Sequence, residues 1–298
     1  MLRLERLKNT PSWEWPPEAK AEILEVLRDA EAREPELLLA ADLAGDEVVV
    51  DDEIVDVLLG ILSEGSRPEM VRAAAAIALG PALETADTDG FDFPDDVPIS
   101  ERKFKAVRDA LRGLYLDAGV PKEVRRRVLE AAVRAPLPWQ RDAVRAAWIS
   151  QDAEWKLTAA FCMGYVQGFE EEIMQALSSV DPRIHYEGVV AAGRFEIDEA
   201  WAHVAELVAD AGTPKPLLLA AIDSAAAIRP TEAGELLDRF VDSKDEEISD
   251  AVEEALSLAE ALRGVDDDDD EGDDEEGGDD DDDDDDGGEE GGNDKVFH

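Results

Sequence analysis

A pattern of small and apolar residues returns along the chain about every thirty positions, and it restricts the fold more than any single motif. Anchored at Pro121, Asp152, Asp181, Thr213 and Lys244, it advances in steps of 31, 29, 32 and 31 residues. At seven, eight, eleven and twelve positions past the anchors stand Val128, Leu129, Ala132 and Val133, then Ala159, Ala160, Met163 and Gly164. The same offsets give Gly188, Val189, Ala192 and Gly193, then Ala220, Ala221, Ser224 and Ala225, then Ala251, Val252, Ala255 and Leu256. Offsets of one, four and five fall on one face of a helix. One helical face repeated at this period predicts a stacked α-solenoid, in which each unit buries its apolar side against the next. Arg67 serves as an earlier anchor, placing Ala74, Ala75, Ala78 and Leu79 on the stripe. Its distance of 54 residues from Pro121 predicts an insertion over Thr85–Ser100, between two helices of one repeat.

Helices of about twelve residues are predicted in alternation. They are 35–44 with 51–63, 68–84 with 100–117, 121–134 with 137–149, 152–166 with 169–179, 182–194 with 197–210, and 214–228 with 231–242. A first helix over 17–32 and a last one over 245–262 close the two ends. Proline at or beside the first helical position recurs at Pro17, Pro35, Pro68, Pro121, Pro182 and Pro214, where its missing donor costs nothing. Asp181 and Thr213 precede two of these prolines and are expected to cap the helices that follow.

Stretches such as Pro68-Glu69-Met70-Val71-Arg72-Ala73-Ala74-Ala75-Ala76-Ile77-Ala78-Leu79-Gly80 resemble the first helix of a HEAT repeat. So does Asp181-Pro182-Arg183-Ile184-His185-Tyr186-Glu187-Gly188-Val189-Val190-Ala191-Ala192-Gly193. The resemblance covers roughly 34–262 and includes the short bacterial and archaeal form of the repeat, as in phycobilin lyase-type HEAT proteins. It implies an all-α, right-handed solenoid of stacked antiparallel helix pairs, with the second helices lining the concave side. Residues 1–33 are then an N-terminal capping segment, 34–264 the solenoid, and 265–298 a separate tail.

Composition agrees with close-packed helices: aromatic residues are only 6% of the chain, and alanine is abundant. The lone cysteine, Cys162, permits no internal disulfide, no leader with an apolar core begins the chain, and no apolar run nears the ~20 residues of a membrane span. These features predict a cytoplasmic protein. Formal net charge is −46, and arginine outnumbers lysine. An acidic, lysine-poor surface is similar to that of salt-adapted proteins, whose medium screens self-repulsion. From Val265 to Asp294 the chain is almost wholly Asp, Glu and Gly, a composition that cannot bury apolar surface and is expected to be disordered. It ends in Lys295-Val296-Phe297-His298.

Against this background residues 101–149 carry twelve basic and six acidic side chains. Lys105, Arg108 and Arg112 follow helical spacing on one second helix, and Arg141 and Arg145 on the next. If second helices face inward, the five form a positive belt in the concave groove. That belt is the expected binding site for an anionic partner: an acidic or phosphorylated protein, or the acidic tail itself. The alternative is that these cations pair with acidic neighbours across repeats. Nucleic acid is disfavoured, because the rest of the molecule repels phosphates.

Three further features are weighed. Asp87, Asp89, Gly90 and Asp96 fit positions three, five, six and twelve of a calcium loop, but Thr85 and Asp92 do not fit positions one and eight, so an acidic loop is expected. His185 and His203 lie on two helices of one repeat with no third ligand or catalytic partner in view. Trp13 and Trp15 are expected to cover the open end of the stack. Phosphate-cradling glycine loops, Ser/His/Asp arrangements and paired-cysteine spacings are absent from the sequence. The expected function is a non-catalytic protein–protein scaffold without cofactor or metal, binding along its concave face. Two alternatives stand beside it: a bilin lyase-like or enzyme-associated HEAT protein, and a nucleic-acid-binding solenoid.

Overall fold

The computed structural model describes residues 4–93 and 97–269, with side chains to residue 261. Its α-helices open with α1 (Glu5–Lys8), α2 (Ala19–Arg28), α3 (Glu34–Ala44), α4 (Asp52–Ser63), α5 (Glu69–Ala78) and α6 (Gly80–Asp89). There follow α7 (Glu101–Leu116), α8 (Lys122–Ala132), α9 (Pro138–Trp148), α10 (Ala153–Met163) and α11 (Glu170–Leu177). The chain continues through α12 (Pro182–Arg194), α13 (Trp201–Ala209), α14 (Lys215–Ile228), α15 (Pro230–Leu237) and α16 (Glu246–Asp269). No strand occurs among the described residues.

The helices form two rows. In one row α3, α5, α8, α10, α12, α14 and α16 each pack directly on the next. In the other, α2, α4, α7, α9, α11, α13 and α15 each pack mainly on the helix that follows, and only sparsely on one another. The small-residue stripe explains the difference. Ala75, Ala76, Ala159, Ala160, Ala191, Ala192, Ala221 and Ala225 are all buried in the tight row, where short side chains let backbones approach. At Gly193 the approach is closest, since a Cβ there would stand 2.8 Å from Ser224 Cα. At Gly188 it would meet the backbone of α11 at 3.0 Å.

Aspartate caps start several of these helices. Asp152 Oδ1 accepts from the Glu154 and Trp155 amides at 3.0 and 3.3 Å, and Asp181 Oδ1 from the Arg183 amide at 2.9 Å. Thr213 does not cap α14; its hydroxyl donates back to the Leu207 carbonyl at 2.7 Å, closing the preceding helix instead. The helix expected over 68–84 breaks at Leu79 into α5 and α6, and α6 carries helical structure on to Asp89. Pro81 at the start of α6 supplies the break, because it cannot donate to the turn before it. Trp15 anchors the N-terminal end: its indole nitrogen donates to the carbonyls of Leu7 (3.0 Å) and Thr10 (2.9 Å). Trp13 points to solvent, 80% exposed.

The tight row lines the concave side. Ile77 of α5, Glu130 of α8, Phe161 of α10, Tyr186 and Glu187 of α12 and Leu217 of α14 all border one groove of about 610 Å³. Five consecutive helices can surround a single void only if their row is bent toward it. Glu84 on α6 spans the bend, pairing with Arg134 at the end of α8 and with Arg194 at the end of α12 (3.8 Å). The sequence-based pairing is therefore displaced by one helix. The helices expected to be first in each pair form the inner row, and those expected to be second lie outside.

Candidate interaction surfaces

The displaced pairing moves the five candidate cations. Lys105, Arg108 and Arg112 sit on α7, and Arg141 and Arg145 on α9, both outer helices. None of the five borders the inner groove. The two helices adjoin, with the rings of Tyr115 and Trp139 5.2 Å apart where α7 ends and α9 begins. The five cations thus stand on α7 and α9, away from the inner groove, and these two helices meet through that ring pair.

Their electrostatic surroundings differ from those of the inner cations. Lys105 pairs with Glu101 at 2.5 Å, one turn earlier. Arg108, Arg112, Arg141 and Arg145 have no ion pair among the described residues. Arg108 lies over the Phe104 ring at 4.8 Å and Arg145 over Phe169 at 5.5 Å. Arg141 rests its guanidinium on Gly168, whose φ of +84° and lack of a Cβ open the space for it. Such ring contacts hold the Arg108 and Arg145 guanidinium groups beside apolar surface. Arg102, one turn before Lys105 and also exposed, extends the stripe. Its spacing of three from Lys105 is visible in the sequence. Asp109 and Asp142 share these helices and form no ion pair with the stripe.

On the inner helix α8, Arg126 and Arg127 are paired with carboxylates, whereas Arg125 donates to the Tyr115 carbonyl at 2.8 Å and lies over the Tyr115 and Trp155 rings. Arg126, only 1% exposed, bonds Thr158 Oγ1 at 3.0 Å, pairs with Glu123 at 2.5 Å and reaches Glu154 at 3.3 Å. Arg127 bridges Glu123 (2.9 Å) and Glu130 (2.7 Å), and the Thr158 hydroxyl donates to Glu130 at 2.6 Å. Lys103 and Lys122 pair with Asp56 and Asp152 across helices. Of the basic residues over 101–149, Lys103, Lys105, Lys122, Arg126, Arg127 and Arg134 form ion pairs, and Arg102, Arg108, Arg112, Arg125, Arg141 and Arg145 form none among the described residues.

The groove combines apolar walls with these buried charges. Ile77, Leu157, Phe161, Leu217 and the prolines 182, 214 and 216 supply its apolar surface. Arg134 stacks on Phe161 (5.7 Å) and Tyr165 (5.3 Å), and Arg194 covers the same Tyr165 at 4.1 Å. Glu187 projects into this setting, and its carboxyl is pushed up to about 7, chiefly by burial and secondarily by Glu130, against the lowering effect of Arg194. No local pattern marks this group, since its environment is assembled from α8 and α12.

Other candidates resolve simply. Thr85, Asp87 and Asp89 are residues of helix α6, so they cannot wrap an ion as loop positions do, and Asp96 lies outside the described residues. The Thr85 hydroxyl instead bonds Glu47 at 3.1 Å. Among the described residues no group of three or more His, Cys, Asp and Glu side chains gathers to hold a metal. Cys162 is fully buried, which raises its thiol well above the usual range. No described helix is long and apolar enough to cross a membrane. The tail, residues 270–298, lies outside the described residues, and with it the proposed tail contact.

No family model and no curated protein matches this chain. Among solved structures it is similar to human deoxyhypusine hydroxylase in complex with glycerol. That likeness has 17% identity and a TM-score of 0.39, over 84% of this chain and 87% of that one. It is also similar to an engineered protein, at 18% identity and a TM-score of 0.38, over 70% of this chain and 96% of that one. The first of these is an enzyme, against the expectation of a non-catalytic chain. At such identity and TM-score neither likeness assigns an activity. The chain itself is all-helical among the described residues.

Proposed function

We propose that this chain is a binding scaffold, a right-handed solenoid of antiparallel helix pairs, whose outer face at α7 and α9 receives an acidic protein segment. One observation carries the reading: in a molecule of net charge −46, Arg108, Arg112, Arg141 and Arg145 on α7 and α9 form no ion pair among the described residues, with only Asp87 acting at longer range on Arg108. Lys105 and Arg102 extend that face. Guanidinium groups held flat on rings or backbone suit bidentate carboxylate or phosphate contacts, and orienting them beforehand lowers the entropy lost on binding. The chain's own acidic tail would compete for this face. Phosphate-rich nucleic acid is the weaker candidate, because the remaining surface repels it.

The test is the double variant Arg141→Glu with Arg145→Glu, assayed by pull-down of the partner from the native host at native salt. We expect capture to be lost while far-UV circular dichroism stays unchanged. Capture at the original level would remove this face from consideration. A chain ending at residue 264 is expected to bind a Glu-rich peptide more tightly than the full chain at low salt, with the difference fading in molar salt.

A second reading, of an enzyme or enzyme-associated protein in the manner of the lyase-type resemblance, is favoured by the groove. A carboxyl held near 7, beside stacked arginines and tyrosines in about 610 Å³, suits proton transfer to a small carboxylated aromatic ligand. Titration with a linear tetrapyrrole, read by absorbance, tests it; a spectrum insensitive to Glu187→Gln would count against it.

A further inference from the structure

His185 and His203 belong to neither surface, yet they meet. His185 stands in the first turn of α12 and His203 in the first turn of α13. Their Nε2 atoms are 2.8 Å apart, with ring centroids separated by 5.0 Å and planes inclined at 56°. Both residues are half-buried, so each ring is held by its helix while solvent retains access. Two neutral imidazoles in this position share one hydrogen bond, one Nε2 donating and the other accepting. If the donor ring moves its proton to Nδ1, both Nε2 lone pairs become free with no change in protonation.

Two imidazole nitrogens bound to one ion at about 2.0–2.1 Å stand about 2.8–3.4 Å apart, for angles between square and tetrahedral. The observed separation lies at the short end of that range, so a swivel of each ring aims both lone pairs at one ion. We propose that His185 and His203 form a two-histidine site for one late first-row divalent cation, clamping α12 to α13. With no third protein ligand gathered there among the described residues, water completes the coordination sphere. Affinity should follow the order Cu²⁺ above Ni²⁺ above or near Zn²⁺, and calcium and magnesium, which take oxygen ligands, should not compete. An ion here would fix the helix that presents Tyr186 and Glu187 to the groove.

The full chain also offers His298 and many tail carboxylates, so the test separates nitrogen from oxygen ligation. Substoichiometric Cu²⁺ is added to the His298→Gln protein, and coupling to imidazole nitrogen is read by electron paramagnetic resonance. A two-nitrogen pattern is expected, reduced to one nitrogen or none in either His185→Gln or His203→Gln. In the unsubstituted chain, Zn²⁺ should shift the imidazole nitrogen resonances of both residues, and excess Ca²⁺ should not reverse the shift. Oxygen-only coordination in the His298→Gln protein, a two-nitrogen pattern that survives both substitutions, or unshifted His185 and His203 resonances would each overturn the proposal.

Discussion

Gly193 shows how closely one residue is bound to the architecture. A Cβ at this position would fall 2.8 Å from Ser224 Cα, inside the contact of α12 with α14. Gly193→Ala is expected to cost about 1–3 kcal/mol through overpacking, measured by urea unfolding. This requirement was legible in the sequence, because Gly193 holds a stripe position. The bridge joining Arg126, Thr158 and Glu130 was not, because its members lie about thirty residues apart and meet only when α8 stacks on α10. Thr158→Val removes a hydroxyl that serves both charged groups, and a loss of about 1–3 kcal/mol is expected. Glu187 gives a pH signature. Its folded-state value, about 7, lies above the model-compound value of 4.5, so the folded chain holds a proton there that the unfolded chain releases. Its contribution to stability is fully present below about pH 4.5 and declines as pH rises through 7. Glu187→Gln should therefore raise the melting temperature more at pH 8 than at pH 5. An equal change at both pH values would mean that the carboxyl is not perturbed.

At the scale of the helix, periodicity reported which side of each element is buried, but not which row the element joins. Helices on both rows need one apolar stripe, so the inward position of the second helices rested on resemblance alone. The contrast between rows was nonetheless present in side-chain size. Ala- and Gly-rich faces such as Gly188, Ala192 and Gly193 fall on the row whose neighbours pack tightly. The larger Phe104, Val107 and Leu111 stripe of α7 falls on the open row. The candidate cations lie on α7 and α9, and the side expected for them follows the row to which those helices belong. The tie made by Glu84 joins helices far apart in sequence and had no local sign. Glu84→Gln should lower stability by about 1 kcal/mol or less, as partly exposed pairs do. Small-angle scattering should show a slightly larger radius of gyration, because the bend loses a strut.

For the molecule as a whole, charge sets the conditions under which the fold is at its best. A net charge of −46 on 298 residues repels itself at low ionic strength, where the Debye length reaches about 30 Å at 0.01 M and charges on distant repeats still interact. Thermal stability is expected to rise steadily from millimolar to molar potassium chloride, followed by circular dichroism. A melting temperature that falls with salt would mean that internal ion pairs such as those on α8 outweigh the repulsion.

The two rows also differ in how they can deform. Neighbours on the concave side are in backbone-level contact, so that side works as a pivot line of nearly fixed length, whereas the opposite side has little material joining one helix to the next. Any flexing of the array must then appear mainly as spreading or closing of the outer spacings. A body that grips α7 and α9 together would register such motion, and by bridging them it would stiffen the whole arc.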